Sequence, residues 1–183
     1  LSVDHDFSEA SVIFSFDSDF TARGSTSARY SKHFSKSRRV RDGQESMNRL
    51  YLVESSPTAT GSIADHRWAM DSASMEALAL NLAVSLDVRI EGNYKLEQTL
   101  PTETINAIVE DLNANRGRSI LIAGDNCSPT LNALINAINN KLGNINSTVF
   151  YRDPSEIDTG YQNESLADLI EDMNSGDVKS LVI

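Results

Sequence analysis

The residues best placed to do chemistry are Asp17-Ser18-Asp19-Phe20-Thr21, which directly follow the apolar run Val12-Ile13-Phe14-Ser15-Phe16. Two carboxylates two residues apart at a strand end could hold or attack a ligand, although Asp more often simply turns the chain there. His66, between Asp65 and Arg67, is a candidate general base; a lone His in a polar run is more often a satisfied surface group. Cys127 follows Asn126 at an expected helix start, where a thiolate would be stabilised, and its commoner state is a half-buried structural thiol. No Gly-x-Gly-x-x-Gly or Gly-x-x-x-x-Gly-Lys-Ser/Thr loop follows any strand, and the chain has no Gly-x-Ser-x-Gly or His-Glu-x-x-His.

Composition narrows the field. The 183 residues carry 16 Lys and Arg against 26 Asp and Glu, a formal charge of −10. A single Cys forms no internal disulfide, iron–sulfur site or Cys-rich zinc site, and His5, His33 and His66 make no metal-ligand pattern. The net charge opposes general binding to nucleic acid or an anionic membrane. No run reaches the roughly 18 apolar residues of a membrane span, and no basic-then-apolar start reads as a signal peptide. The chain starts at Leu1 rather than Met, as expected of a piece of a longer protein.

The elements that must position these residues alternate. Apolar runs predict strands at Ser11–Phe16, Leu50–Val53, Ser119–Ala123, Thr148–Tyr151 and Ser180–Ile183. Their near-continuous apolarity suits a parallel sheet covered on both faces. Helical periods fall between them. Leu131, Leu134, Ile135, Ile138 and Leu142 precede Gly143; Ile105, Ile108, Val109 and Leu112 follow Pro101; Leu166, Leu169, Ile170 and Met173 end at Gly176. Met75, Leu78, Leu82 and Leu86 lie behind Ser72 and Ser74, either of which could cap. A helix over Ser27–Ser37 has only a thin stripe of Tyr30 and Phe34.

The alternation predicts an α/β fold, a Rossmann-like three-layer domain with a mainly parallel sheet. One domain over 1–183 is expected, with Asp87–Thr99 the best link between halves 1–90 and 91–183. Ligands of such sheets bind beyond the carboxyl ends of the strands. Those ends are Asp17-Ser18-Asp19, Glu54-Ser55-Ser56-Pro57, Gly124-Asp125-Asn126-Cys127 and Arg152-Asp153-Pro154. The fifth strand runs into Ile183, so its loop would lie outside this chain.

Charge is uneven. Arg23, Arg29, Lys32, Lys36, Arg38, Arg39, Arg41 and Arg49 supply 8 of the 16 basic side chains within one short stretch. With only Tyr30 and Phe34 interleaved, this arm suits a partner contact through Arg29, Lys32, Lys36, Arg38 and Arg39, or a solvated face, rather than nucleic acid.

Two resemblances follow from these residues. Asp17-Ser18-Asp19-Phe20-Thr21 is similar to the first motif of the haloacid dehalogenase superfamily. That would imply a magnesium-dependent phosphatase with Asp17 as nucleophile and Asp19 as acid and base. The later acidic pair of that family fits poorly, because its second acid falls on Pro129.

The second resemblance covers nearly the whole chain. Val12 to Phe20, then Tyr30-Ser31-Lys32-His33-Phe34, and above all Met47 to Arg67 resemble the molybdopterin oxidoreductase large-subunit family. Within it, the chain is most similar to the molybdopterin-oxidoreductase-like subunit of the quinol-oxidising alternative complex III. Ser119 to Gly124, Leu142-Gly143-Asn144 and Gly176-Asp177-Val178-Lys179 keep the family's order. Cofactor-binding members hold molybdopterin guanine dinucleotide and usually have Gly where Asp17 stands. They usually carry Asp-Pro-Arg in place of Glu54-Ser55-Ser56 and Pro-Gly-Thr in place of Ser72-Ala73-Ser74.

These departures imply a vestigial crevice of Asp17, Asp19, Glu54, Ser56, Ser72, Asp125 and Asn126. They imply no catalytic residue, no metal and no cofactor in this fragment. The resemblance further implies a scaffold in a respiratory electron-transfer complex on the periplasmic face of a membrane. Its neighbours would be an iron–sulfur domain of the same chain and subunits of a membrane-bound quinol-oxidising complex. The alternative is a working oxidoreductase to which this segment lends part of the guanine-dinucleotide cradle.

Overall fold

Three strands with apolar side chains on both faces, and a fourth at their edge, form the central sheet of the larger unit. The computed structural model describes residues 2–39, 46–92, 94–152 and 162–181. It divides into a unit spanning Val3–Tyr151 and a second made of Ser2 and the described residues from Arg152 onward.

In chain order the described residues up to Arg152 contain β1 (Ser2–His5), β2 (Val12–Phe16), α1 (Ser27–Ser37), β3 (Arg49–Glu54), a 3-10 turn (Gly61–Ile63) and β4 (His66–Ala69). There follow α2 (Ser72–Ser85), α3 (Thr102–Ala114), β5 (Ser119–Ala123), α4 (Pro129–Lys141) and β6 (Val149–Arg152). β4, β3, β2 and β5 lie side by side in that order, all parallel, with Phe14 opposite both Tyr51 and Leu121.

Alternation along each strand divides the core in two. Val12, Phe14, Phe16, Tyr51, Val53 and Leu121 pack with the buried faces of α2, α3 and α4, among them Leu78, Ile108 and Ile138. Ile13, Leu50, Ile120 and Ile122 pack with Phe7, Phe20 and the α1 pair Tyr30 and Phe34. The domain is therefore a three-layer α/β fold of Rossmann-like type, with helices on both faces of a parallel sheet. The thin stripe of α1 suffices because Phe7 stacks on Phe20 at 4.4 Å and completes that layer.

Several boundaries depart from the sequence expectations. α2 is capped by Asp71, not Ser72 or Ser74: its carboxylate accepts the Ser74 N–H at 2.8 Å, and a negative group suits a helix start. β1 and β4 were not expected; both are only four residues long, and β4 is a largely exposed edge. The strand expected at Thr148–Tyr151 forms as β6, yet it pairs with β1 in a separate two-stranded sheet. The outer edge of β5 is already taken: the Asn139 carboxamide donates to the Leu121 carbonyl at 2.8 Å and accepts the Leu121 N–H at 3.1 Å. Of the strand expected at Ser180–Ile183, Ser180 and Leu181 are irregular, and the remainder lies outside the described residues.

The described part of Asp87–Thr99 is irregular, held to α2 where Asn81 donates to the Glu97 carbonyl at 2.6 Å. The main sheet nonetheless draws strands from both sides of residue 90, β5 lying directly against β2. In the second unit, α5 (Gln162–Ser175) ends at Gly176, whose φ of 84° closes the helix.

Candidate functional site

The strand order reverses between β2 and β5. From β2 the chain moves outward through β3 to β4, then returns to lay β5 on the other side of β2. Ligands of open parallel sheets bind at that switch point, beyond the carboxyl ends of the strands. A cavity of about 660 Å3 opens there, lined by the loops after β2, β3 and β5, by α4, and by His5 and Tyr30.

Each loop is shaped by its own side chains. Asp17 adopts φ 51°, a left-handed conformation that Asp tolerates. Its N–H donates to the Val53 carbonyl at 2.8 Å, and its carboxylate accepts the Ser55 N–H at 2.9 Å and the Ser55 hydroxyl at 3.0 Å. Asp19 accepts the Thr60 N–H at 2.9 Å and hydroxyl at 2.7 Å, both on Oδ1. Its carbonyl accepts from Ala22 and Arg23, bending the chain toward α1. The expected motif thus survives as a pair of loop clasps, joining the β2 loop to the one after β3.

The crevice residues named from the sequence separate into two groups. Asp17, Asp19, Ser56, Asp125 and Asn126 line the cavity together. Glu54 and Ser72 do not. Glu54 is 1% exposed, with Arg67 Nε on Oε1 and the Thr58 hydroxyl donating to Oε2 at 2.6 Å. It braces β3 against β4 and leaves no room for a side chain at Gly61. Ser72 lies in the first turn of α2, behind the Asp71 cap. Asp125 and Asn126 are exposed, and their side chains have no hydrogen-bond or ion-pair partner among the described residues.

The other candidates are committed elsewhere. The Cys127 thiol donates to the Phe16 carbonyl at 3.4 Å; burial pushes it up, as do the charges of Asp17 and Asp125, so it is a protonated structural thiol. His66 stacks on Tyr51 at 4.9 Å away from the cavity, while its neighbours turn apart, Asp65 to Arg38 and Arg67 to Glu54. The basic arm is partly neutralised. Arg29 grips Asp4, Arg38 forms a fork with Asp65 at 2.6 and 2.8 Å, and Arg49 meets Asp111 at 2.6 Å. Lys32, Lys36 and Arg39 are exposed and unpaired among the described residues; Arg41 lies outside them.

Two features escaped the sequence reading. His5 lies in the cavity wall, partly exposed, and desolvation by its surroundings pushes its imidazole down to about 4. Asn132, Asn136 and Asn139 present a polar stripe of α4 to the same space. Their spacing of four and three residues was a legible signal for a polar helix face.

A dinucleotide needs N–H donors or cations around its diphosphate. Here the lining carboxylates Asp17, Asp19 and Asp125 face Arg23 as the one positively charged side chain among the described lining residues. The N-terminus of α2 is closed by Asp71, and that of α4 by Ser128, which accepts the Leu131 N–H at 3.1 Å. The N-terminus of α1, by contrast, borders the cavity at Thr26 and has no side-chain cap. Among the described residues, no group of three or more His, Cys, Asp and Glu side chains is placed to hold a metal ion. No family model matches the chain, and no curated protein matches it.

Proposed function

We propose that this chain is a scaffold domain of a molybdopterin-oxidoreductase-like subunit in a respiratory electron-transfer complex, and that it has lost binding of the molybdenum cofactor. The observation that supports this reading is the acidic lining at the switch point. The fold keeps a crevice there, and Asp17, Asp19 and Asp125 outnumber Arg23 among its charged side chains, which disfavours a diphosphate. The sequence resemblance supplies the family. The loop clasps Asp17–Ser55 and Asp19–Thr60 supply a physical role for residues that would otherwise read as catalytic.

In this reading the domain gives neighbouring parts a rigid surface and turns over no substrate of its own. Its partners are an iron–sulfur domain of the same chain and further subunits of a quinol-oxidising complex on the periplasmic face. Lys32, Lys36 and Arg39, three cations of the arm without a partner among the described residues, are the side chains offered to them.

Metal analysis and an absorption spectrum of the full-length subunit test this. The expected result is no molybdenum and no pterin; stoichiometric amounts of both would overturn the reading. Asp17→Gly combined with Ser56→Arg is expected to leave the subunit free of pterin. A gain of pterin binding would instead favour a working cofactor cradle.

A further inference from the structure

Helix α2 is apolar on nearly every side. Between Ser72 and Ser85 its only charged residue is Glu76. Met75, Leu78, Ala79 and Leu82 pack into the core. Ala73, Ala77, Leu80 and Val84 make up the opposite side of the helix, and the first three line a groove of about 440 Å3. A helix without a polar face is ordinarily covered all round. We propose that this groove docks a polypeptide segment of a partner protein, one carrying apolar side chains between Lys or Arg residues.

The groove lies wholly within the larger unit. α2 forms one wall and the irregular segment after it forms the other, through Ile90 and Tyr94; Leu134 of α4 completes the lining. That segment is pinned to α2 twice. The Val88 N–H donates to the Ala83 carbonyl at 2.9 Å, and Asn81 donates to the Glu97 carbonyl at 2.6 Å. Between these ties Ala73 stays exposed and Ala77 partly so, because neither has the bulk to fill the gap. Apolar exposure continues along the same segment, with Tyr94 48% and Leu96 49% exposed. An apolar strip that outruns its pocket suits a chain better than a small molecule.

The charges round the groove select the partner. Glu76, Glu91 and Glu97 are in its lining, with Lys95 as the one cation among the described lining residues. Glu76 accepts the Ser128 hydroxyl at 2.6 Å, a neutral donor that leaves its charge in place. Glu91 has Arg89 at 3.9 Å and Glu97 has Lys95 at 3.9 Å. All four of those side chains are exposed, and pairs this long and wet contribute little. An acid-rimmed apolar groove disfavours acidic segments and the anionic surface of a membrane. It favours a chain with cations beside its apolar anchors, and the Tyr94 ring gives such a cation a face to lie on.

This surface is separate from the crevice and from the basic arm. α2 packs on the face of the sheet opposite to α1, so the two helical layers offer partners surfaces of opposite sign.

The test is a titration of the isotopically labelled 183-residue chain with three peptide amides: acetyl-Arg-Leu-Leu-Arg, acetyl-Arg-Gly-Gly-Arg and acetyl-Glu-Leu-Leu-Glu. Saturable shifts of the Ala77, Leu80, Glu91 and Lys95 backbone amides are expected with the first peptide alone, weakened by added salt. Ala77→Arg should abolish them by placing a cation in the groove. Glu91→Gln with Glu97→Gln, which alters only exposed side chains, should weaken binding about fivefold while the β2 and β5 resonances keep their positions. Equal binding of the acidic or the glycine peptide overturns the proposed partner. So do shifts that never saturate, and shifts centred on Asp17 and Asp125, which would put the peptide in the crevice. A dimer in sedimentation equilibrium, with Ala77 and Leu80 amides that move on dilution, would give the groove to a second copy and overturn the proposal too. The scaffold reading is tested separately by molybdenum and pterin content, which none of these outcomes touches.

Discussion

Gly124 rests directly on the Asp17 carbonyl. The first residues after β5 and β2 meet main chain to main chain, with no space for a Cβ between them. The Gly124 N–H donates to the Phe16 carbonyl at 2.8 Å and holds the two loops in that contact. The floor of the crevice is therefore set by a missing side chain.

Gly124→Ala forces this contact apart. Because the opposing atoms are backbone, they cannot swing aside as a flexible side chain would. The variant is expected to lose about 1–3 kcal/mol of stability in urea unfolding. Amide shifts should concentrate at Asp17, Ser18 and Asp125.

Arg67→Ala leaves the Glu54 carboxylate buried with only the Thr58 donors. Arg67 is itself partly exposed, so the loss is expected at about 1–3 kcal/mol, below that of a fully buried pair. Equilibrium unfolding at pH 7 measures it. A cost equal to that of a surface ion pair, under about 0.5 kcal/mol, would show that Glu54 needs no partner.

His5 makes stability depend on mild acid. Its folded value is about 4 against an ordinary 6.5, so as pH falls below 6.5 the unfolded chain takes up a proton that the folded chain refuses. The contribution is complete above pH 6.5, declines between 6.5 and 4, and is gone below. It amounts to at most roughly 3 kcal/mol. Urea unfolding of the parent and of His5→Phe, followed from pH 7.5 to 4, should show the parent losing more stability across that window.

Asn139→Leu strips the β5 edge of its side-chain partner. The Leu121 N–H and carbonyl lose their bonds, as does the Asn144 amide that donates to Asn139 Oδ1 at 2.9 Å. The expected cost is about 2–4 kcal/mol. Hydrogen exchange at Leu121 should accelerate more than at Ile120, whose N–H direction along the strand is toward β2.

The sheet was legible because β2, β3 and β5 are covered on both faces and so carry apolar residues at nearly every position. His66-Arg67-Trp68-Ala69 was not, because an edge strand faces solvent and its apolar signal reduces to Trp68. Thr148–Tyr151 was legible as a strand but not as a partner of β1, since its exclusion from the main sheet depends on a side chain of α4. The crevice loops were legible from topology alone. Which of their residues face the cavity was not: Glu54 ends β3 and Asp17 follows β2, and Glu54 is held inside by Arg67 of β4 and by Thr58.

Asp17 has one further consequence, drawn from its φ of 51°. Glycine, asparagine and aspartate are the residues most at ease in that backbone region. A residue with a branched or bulky side chain at position 17 would strain this turn, so the bend that brings Asp17 to Ser55 restricts the position to these few residue types.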